Sequence, residues 1–192
     1  MHESAKEKII VGISGSSGAI LGVRFLETLK RMGIETHLVI SETAEKIIEH
    51  ETKHEVGDVK KLAARTYGYR DLFAPIASGS FETKGMVIIP CSMKTLAGIA
   101  SGYSDNLTLR AADVCLKERR KLVLVTRETP LSLIHIENMR TVTLAGGIIL
   151  PPVMTMYSKP ESIDEMADHI IGKVLDSLGI DNKVYKRWDR GN

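Results

Sequence analysis

The apolar residues of this chain fall into short continuous runs and longer helical rhythms that alternate. Ile9 to Ile13 is a short apolar run entering the glycine-rich GISGSSGA, after which Leu21, Phe25, Leu29 and Met32 recur at helical spacing. That order predicts strand, tight loop and a helix over Ile20–Met32, with Gly33 ending it at C′. Thr36 to Ile40 reads as the next strand, so the chain opens on a βαβ unit and a parallel sheet follows. Further strands are expected at Met86–Ile89, Leu122–Val125 and Gly147–Leu150, at least five in all. Helices are expected at Thr43–His50, Val59–Thr66, Met93–Ala100, Asn106–Arg120, Leu133–Leu144 and Ile163–Leu178. The last is bracketed by Pro160, by Ser162 as N-cap with Glu165 three residues on, and by Gly179. His50–Lys61 reads as a loop and Ala74–Phe81 as turn-rich.

Composition narrows the class. At 192 residues the chain suits one hydrophobic core, and 43% hydrophobic with 26% charged residues is the balance of a globular protein, so a single domain spanning 1–192 is expected. A net charge of +2 is too mild to imply a nucleic-acid partner. Cys91 and Cys115 have neither CxxC nor zinc spacing, which argues against a disulfide framework or a metal site and for a reducing compartment. MHESAKEKII lacks the apolar core of a signal peptide, and no run approaches the roughly 20 apolar residues of a membrane span. A cytoplasmic protein without membrane attachment is expected.

The chemistry concentrates between Pro90 and Met139. Arg110 and Lys117 lie seven residues apart on a predicted helix, two turns along one face, and Arg127 follows a predicted strand at its carboxyl end. Three cations arranged toward one anion suggest phosphate chemistry; the alternative is a solvated basic face, which suits Arg119–Lys121 better. Glu128 beside Arg127 is either a surface ion pair or an acid held protonated next to a phosphate, able to protonate a leaving group. The loop Gly12, Gly15, Gly18 departs from GxGxxG spacing. It reads as backbone open to a phosphate, with Ser14, Ser16 and Ser17 at a helix start, or as a tight turn alone. Ser41 stands where a dinucleotide binder places an acid, which disfavours NAD without excluding it, since Glu42 is adjacent. Ser92, Met93, Lys94 and Thr95 open another helix and either face a flat polar ring or only cap it. Cys91 has no His and acid near it in sequence and reads as a small strand-end residue, Cys115 as core, and His135 and His169 as ordinary helix residues.

GISGSSGA, ASGSF, PCSMKTLAGIASGYSDNL, RAADVCLKERRKLVLVTRETPLS, HIENM and GGIILPP, in this order, resemble the flavin prenyltransferases of the UbiX type from about Ile9 to Trp188. The resemblance implies an α/β, Rossmann-like, doubly wound and mostly parallel sheet with helices on both faces. It also implies metal-independent transfer of a dimethylallyl group from dimethylallyl phosphate to N5 and C6 of reduced FMN, the product serving UbiD-type decarboxylases. By motif, Gly15, Ser16, Ser17, Ser41, Ser92, Met93, Lys94, Thr95 and Arg127 would hold the flavin, and Ser17 and Glu51 would handle protons. Lys117, Arg127, Tyr157 and Lys173 would hold the donor phosphate, with Arg110 nearby, Glu128 as the acid, and Trp188 in a C-terminal segment, 181–192, that closes over the prenyl site. Lys173 replaces an arginine of some members, a point charge for a bidentate fork. A homo-oligomer, a dodecamer with flavin sites at subunit contacts, is also implied. Two rivals are an FMN-dependent decarboxylase of cysteine-derived substrates, whose early histidine and PXMNXXMW pattern are missing, and a non-catalytic flavin carrier.

Overall fold

The computed structural model describes residues 7–188. Its apolar runs form β1 (Lys8–Ile13), β2 (Glu35–Ile40), β3 (Arg65–Tyr67), β4 (Gly85–Cys91), β5 (Lys121–Thr126) and β6 (Ile148–Ile149). All pair in parallel in the order β3-β2-β1-β4-β5-β6. Parallel neighbours need crossovers, and helices supply them except between β3 and β4, where the link holds only a 3-10 turn at Pro75–Ala77: α1 (Ala19–Arg31), α2 (Glu42–Glu51), α3 (Val56–Lys60), α4 (Met93–Ala100), α5 (Leu107–Lys117) and α6 (Leu133–Leu144) connect strands, and α7 (Ile163–Leu178) follows β6. Apolar residues of α1, α2, α3 and α7 bury against one face of the sheet, and those of α4, α5 and α6 against the other. Strands buried on both faces must be apolar throughout, as β4 is, all seven of its residues buried. The doubly wound expectation holds, with every strand parallel.

Two boundaries differ from the sequence pattern. The expected helix Val59–Thr66 is instead a short α3 ending at Lys60, followed by β3, and α3 also interrupts the stretch expected as loop. α5 stops at Lys117 rather than Arg120, because Arg119 turns into the left-handed region at φ 56° and the Arg120 amide closes back on the Cys115 carbonyl at 2.8 Å. Gly33 and Gly179 end α1 and α7 with φ of 71° and 73°, as their positions predicted. Cys91 ends β4 and Cys115 lies in α5, both fully buried with free thiols.

Strand order reverses between β1 and β4. In sheets of this kind the loops leaving two such strands diverge to opposite faces and leave a crevice beyond their carboxyl ends.

Candidate functional site

The loops that leave β1, β2, β4 and β5 meet at that crevice and are stapled by buried polar groups. The Ser14 hydroxyl donates to the Pro90 carbonyl at 3.0 Å and accepts from the Ser92 amide at 2.8 Å, joining the β1 loop to the β4 loop. The Ser16 hydroxyl donates to the Arg127 carbonyl at 3.0 Å, which fixes the chain just after β5. Ser41 and Ser92 cap α2 and α4, accepting from the amides of Ala44 at 3.2 Å and Thr95 at 3.3 Å. At each of these helix starts the second amide, of Thr43 and of Lys94, has no protein acceptor among the described residues, so both point positive backbone dipole into the crevice.

A cavity of about 390 Å³ lies between them, lined by Gly15, Ser41, Thr43, Ser92–Thr95 and Glu128, together with Glu42, Tyr69 and Arg70. Gly15 packs so closely on Thr43 that a Cβ would stand 2.8 Å from its Cγ2. Tyr69 and Arg70 belong to the loop after β3, a strand whose first two residues the sequence pattern placed at the end of the helix Val59–Thr66. The open amides of Thr43 and Lys94, the side chains of Arg70 and Lys94 and the Tyr69 ring suit a flat polar ring carrying a phosphate.

The amides opening α1 already hold an anion. Glu51 Oε2 accepts from Gly18 at 2.8 Å and Ala19 at 3.2 Å. Burial works to raise the Glu51 pKa, but the neighbouring Ser17 hydroxyl, the two amides and the Arg127 charge outweigh it, so it lies below the ordinary glutamate value. The phosphate reading of this loop moves accordingly: Gly15 lines the cavity, whereas the helix start after Gly18 serves Glu51.

The cations expected to converge do not do so within one chain. Arg110 and Lys117 do share a face and both lean over the turn Ala77–Gly79. Arg110 Nε donates to the Ala77 carbonyl at 3.1 Å, and a Cβ on Gly79 would stand 2.8 Å from Lys117 Nζ. Lys117, ion-paired with Glu118, however, ends α5 ahead of the turn that leads into the first residue of β5, and Arg127 lies just after the last. Six strand residues separate them by roughly 17–20 Å. Arg120 is no solvated surface cation, since its guanidinium donates to the carbonyls of Phe81 at 2.7 Å and Gly79 at 2.6 Å. Arg119 and Lys121 are exposed, as expected of a solvated basic face, and Lys121 donates to the Ser177 carbonyl at 2.8 Å.

Tyr157, Lys173 and Trp188 occupy a third place, the face of α7 turned from the sheet. Tyr157 meets His169 edge-on at 5.7 Å and Trp188 edge-on at 5.3 Å, and Lys173 follows His169 by one helical turn. Residues 189–192 of the expected closing segment lie outside the described residues. Among the described residues no three His, Cys, Asp or Glu side chains gather so as to hold a metal ion, and no helix is long and apolar enough to cross a membrane.

The profile of the family described as Flavoprotein matches residues 1–175. The chain is 54% identical to a probable UbiX-like flavin prenyltransferase of Bacillus subtilis, over 96% of this chain and 90% of that protein. It is 48% identical to the mitochondrial flavin prenyltransferase PAD1 of Saccharomyces cerevisiae, over 95% and 76%. Among solved structures it is similar to AnUbiX (PadA1) in complex with FMN and dimethylallyl pyrophosphate, with a TM-score of 0.96, 47% identity, and 98% and 100% of the two chains covered. A dodecameric FMN-dependent UbiX-like decarboxylase from Escherichia coli O157:H7 superposes at a TM-score of 0.93 with 50% identity over 95% and 99%.

Proposed function

From the premise that this chain belongs to the Flavoprotein family, and within it to the UbiX-type flavin prenyltransferases, we propose that it is a flavin prenyltransferase joining a dimethylallyl group from dimethylallyl phosphate to reduced FMN. The observation that carries this reading is the crevice cavity, where two uncapped helix-start amides and Gly15 face a space of about 390 Å³ next to Glu128. When bound there, reduced FMN supplies N5 and then C6 as the carbon-accepting positions.

The chain's own residues do the rest. Ser41 and Ser92–Thr95 orient the ring system and its phosphate, with Gly15, Ser16 and Ser17 along one side and Arg127 at the edge. Glu128 protonates the departing phosphate, and Arg127, Tyr157 and Lys173 hold its negative charge. Ser17, beside the ionised Glu51, relays a proton to that carboxylate as the second bond forms. With cations rather than a metal ion opposing the leaving phosphate, each must be fixed in a site that excludes water.

Lys117 and Arg110 then reach the site only from another copy. We read the protein as a homo-oligomer, a dodecamer like its Escherichia coli relative, in which Lys117 and Arg110 of the partner subunit complete the phosphate pocket. The exposed apolar side chains of α6, where Leu133, Ile134, Ile136 and Leu144 face outward and only Val142 is buried, support such contacts. Residues 1–192 act as one flavoprotein domain in the cytoplasm, the prenylated flavin passing to a UbiD-type decarboxylase. Anaerobic incubation with reduced FMN and dimethylallyl monophosphate, followed by mass spectrometry of the extracted flavin, tests the reading. A gain of one prenyl unit is expected, and unmodified flavin with both the monophosphate and the diphosphate donor would overturn it.

A further inference from the structure

The outer face of α7 carries a clamp on the C-terminal segment. Asp176 is its hub: Oδ1 accepts from Asn182 Nδ2 at 2.9 Å and from one Arg187 terminal nitrogen at 2.7 Å. Oδ2 accepts from the Tyr185 hydroxyl at 2.7 Å and from the other Arg187 nitrogen at 3.0 Å. The guanidinium is thus bound by both prongs, a geometry that fixes direction as well as distance. It also lies over the Tyr185 ring at 5.0 Å.

Gly172, one turn before Asp176 and buried, is the seat for that ring, because any Cβ there would overlap Tyr185. Seated so, Tyr185 stands edge-on to His169 at 4.7 Å, His169 to Tyr157 at 5.7 Å, and Tyr157 to Trp188 at 5.3 Å. The chain therefore returns along α7 and closes a ring of four side chains that begins and ends in the segment Asp176 holds. Burial works to raise the Asp176 pKa, but the bonds from Arg187, Tyr185 and Asn182 outweigh it and keep it below the ordinary aspartate value. The Tyr185 hydroxyl, pushed up to about 12 by burial and by that carboxylate, stays a donor.

Resting on the prenyltransferase reading, we propose that Asp176, acting through Tyr185 seated on Gly172 and through Arg187, is a positioning residue of the donor site. By folding the C-terminal segment onto α7 it sets Tyr157 and Trp188 where an allylic phosphate enters. It touches neither substrate nor flavin. Its loss should therefore weaken donor binding while sparing the flavin cavity beyond β1 and β4.

Trp188 is the single tryptophan of the chain, so its emission reports the clamp directly. The test compares the FMN-loaded wild type with Asp176→Asn, which keeps the side-chain shape, and with Gly172→Ala, which favours helix and evicts only the Tyr185 ring. Both variants should show red-shifted, more quenchable Trp188 emission, unchanged FMN affinity, and a KM for dimethylallyl monophosphate raised about tenfold with kcat nearly kept. Unchanged emission would overturn the clamp, and changed emission with unchanged KM would overturn its positioning role. A wild type that leaves the flavin unmodified with either donor overturns the prenyltransferase reading and the positioning role with it. The emission comparison needs no substrate and still decides whether the clamp exists.

Discussion

The crevice proposed for the flavin and the side chains proposed for the donor phosphate are built on opposite plans. The crevice is bound together within one chain: strand-following loops meet beyond the sheet, joined by the buried hydroxyls of Ser14 and Ser16, and the hydroxyls of Ser41 and Ser92 cap the helices that open there. The side chains proposed for the donor phosphate are exposed and sit on separate elements, Arg127 beyond β5, Lys117 at the far end of α5 and Lys173 on α7. On the proposed reading, the flavin site is thus largely part of the fold, and the site for a phosphate that must leave is assembled from surfaces. Cations kept apart in the free chain avoid the mutual repulsion that folding them into one pocket would impose.

The sharpest way to break this contrast is Lys117→Ala. If the partner's Lys117 opposes the leaving phosphate, prenylation falls on the order of 10²- to 10³-fold, the scale of losing one preorganised charge-stabilising group, and FMN binding is unchanged. Lost FMN binding would mean that Lys117 serves the crevice, and retained turnover would remove it from the site. Arg127→Ala is expected to be equally inactive. Co-assembled Lys117→Ala and Arg127→Ala chains should then recover activity in about a quarter of the sites, where each residue comes from an intact copy. No recovery on mixing would mean that both residues act from the same chain.

The crevice side should respond to the core instead. Gly22 brings α1 onto β4 so closely that a Cβ would stand 2.5 Å from the Ile89 carbonyl oxygen. Gly22→Ala is expected to cost about 1–3 kcal/mol, read as a thermal midpoint lowered by roughly 2–4 °C per kcal/mol, with FMN affinity falling alongside. Gly57→Ala in α3, with nothing within 4 Å, should hold or slightly raise the midpoint and leave FMN affinity unchanged. Equal responses at the two glycines would refute the idea that close packing of α1 shapes the crevice.

The same contrast governs what the sequence could tell. The βαβ opening, the loops at Gly15 and Ser92 and the placement of Arg127 were legible because each follows from a local period or cap. β3 was not: three residues with two exposed are too short to show alternation, and its loss hid Tyr69 and Arg70. The early end of α5 was hidden because Arg119, not a glycine, takes the left-handed turn. The staples of Ser14 and Ser16 join residues 76 and 111 positions apart, a distance no local pattern spans. Separation of the cations was also illegible, since two turns of helix fix a shared face but not which end of the sheet that face reaches.

The smallest effect belongs to Glu51, where the two plans touch. Its carboxylate closes the start of α1 through Gly18 and Ala19 and lies beside Ser17, so it caps the helix and, on the proposed reading, also takes a proton. Glu51→Gln keeps the shape and removes the charge from the positive end of the helix. A loss of about 1 kcal/mol at pH 7 is expected in denaturant unfolding, modest because the group is partly solvated. Its depressed pKa sets the sign: the stabilisation is present above the unfolded glutamate value of about 4.3 and disappears as pH falls through the lower folded value. Wild type and variant should therefore converge in stability as the pH falls from the unfolded value through the lower folded one. A gap that persists unchanged into acid would show that shape, rather than charge, holds the helix start, and would leave Ser17 without an ionised acceptor beside it.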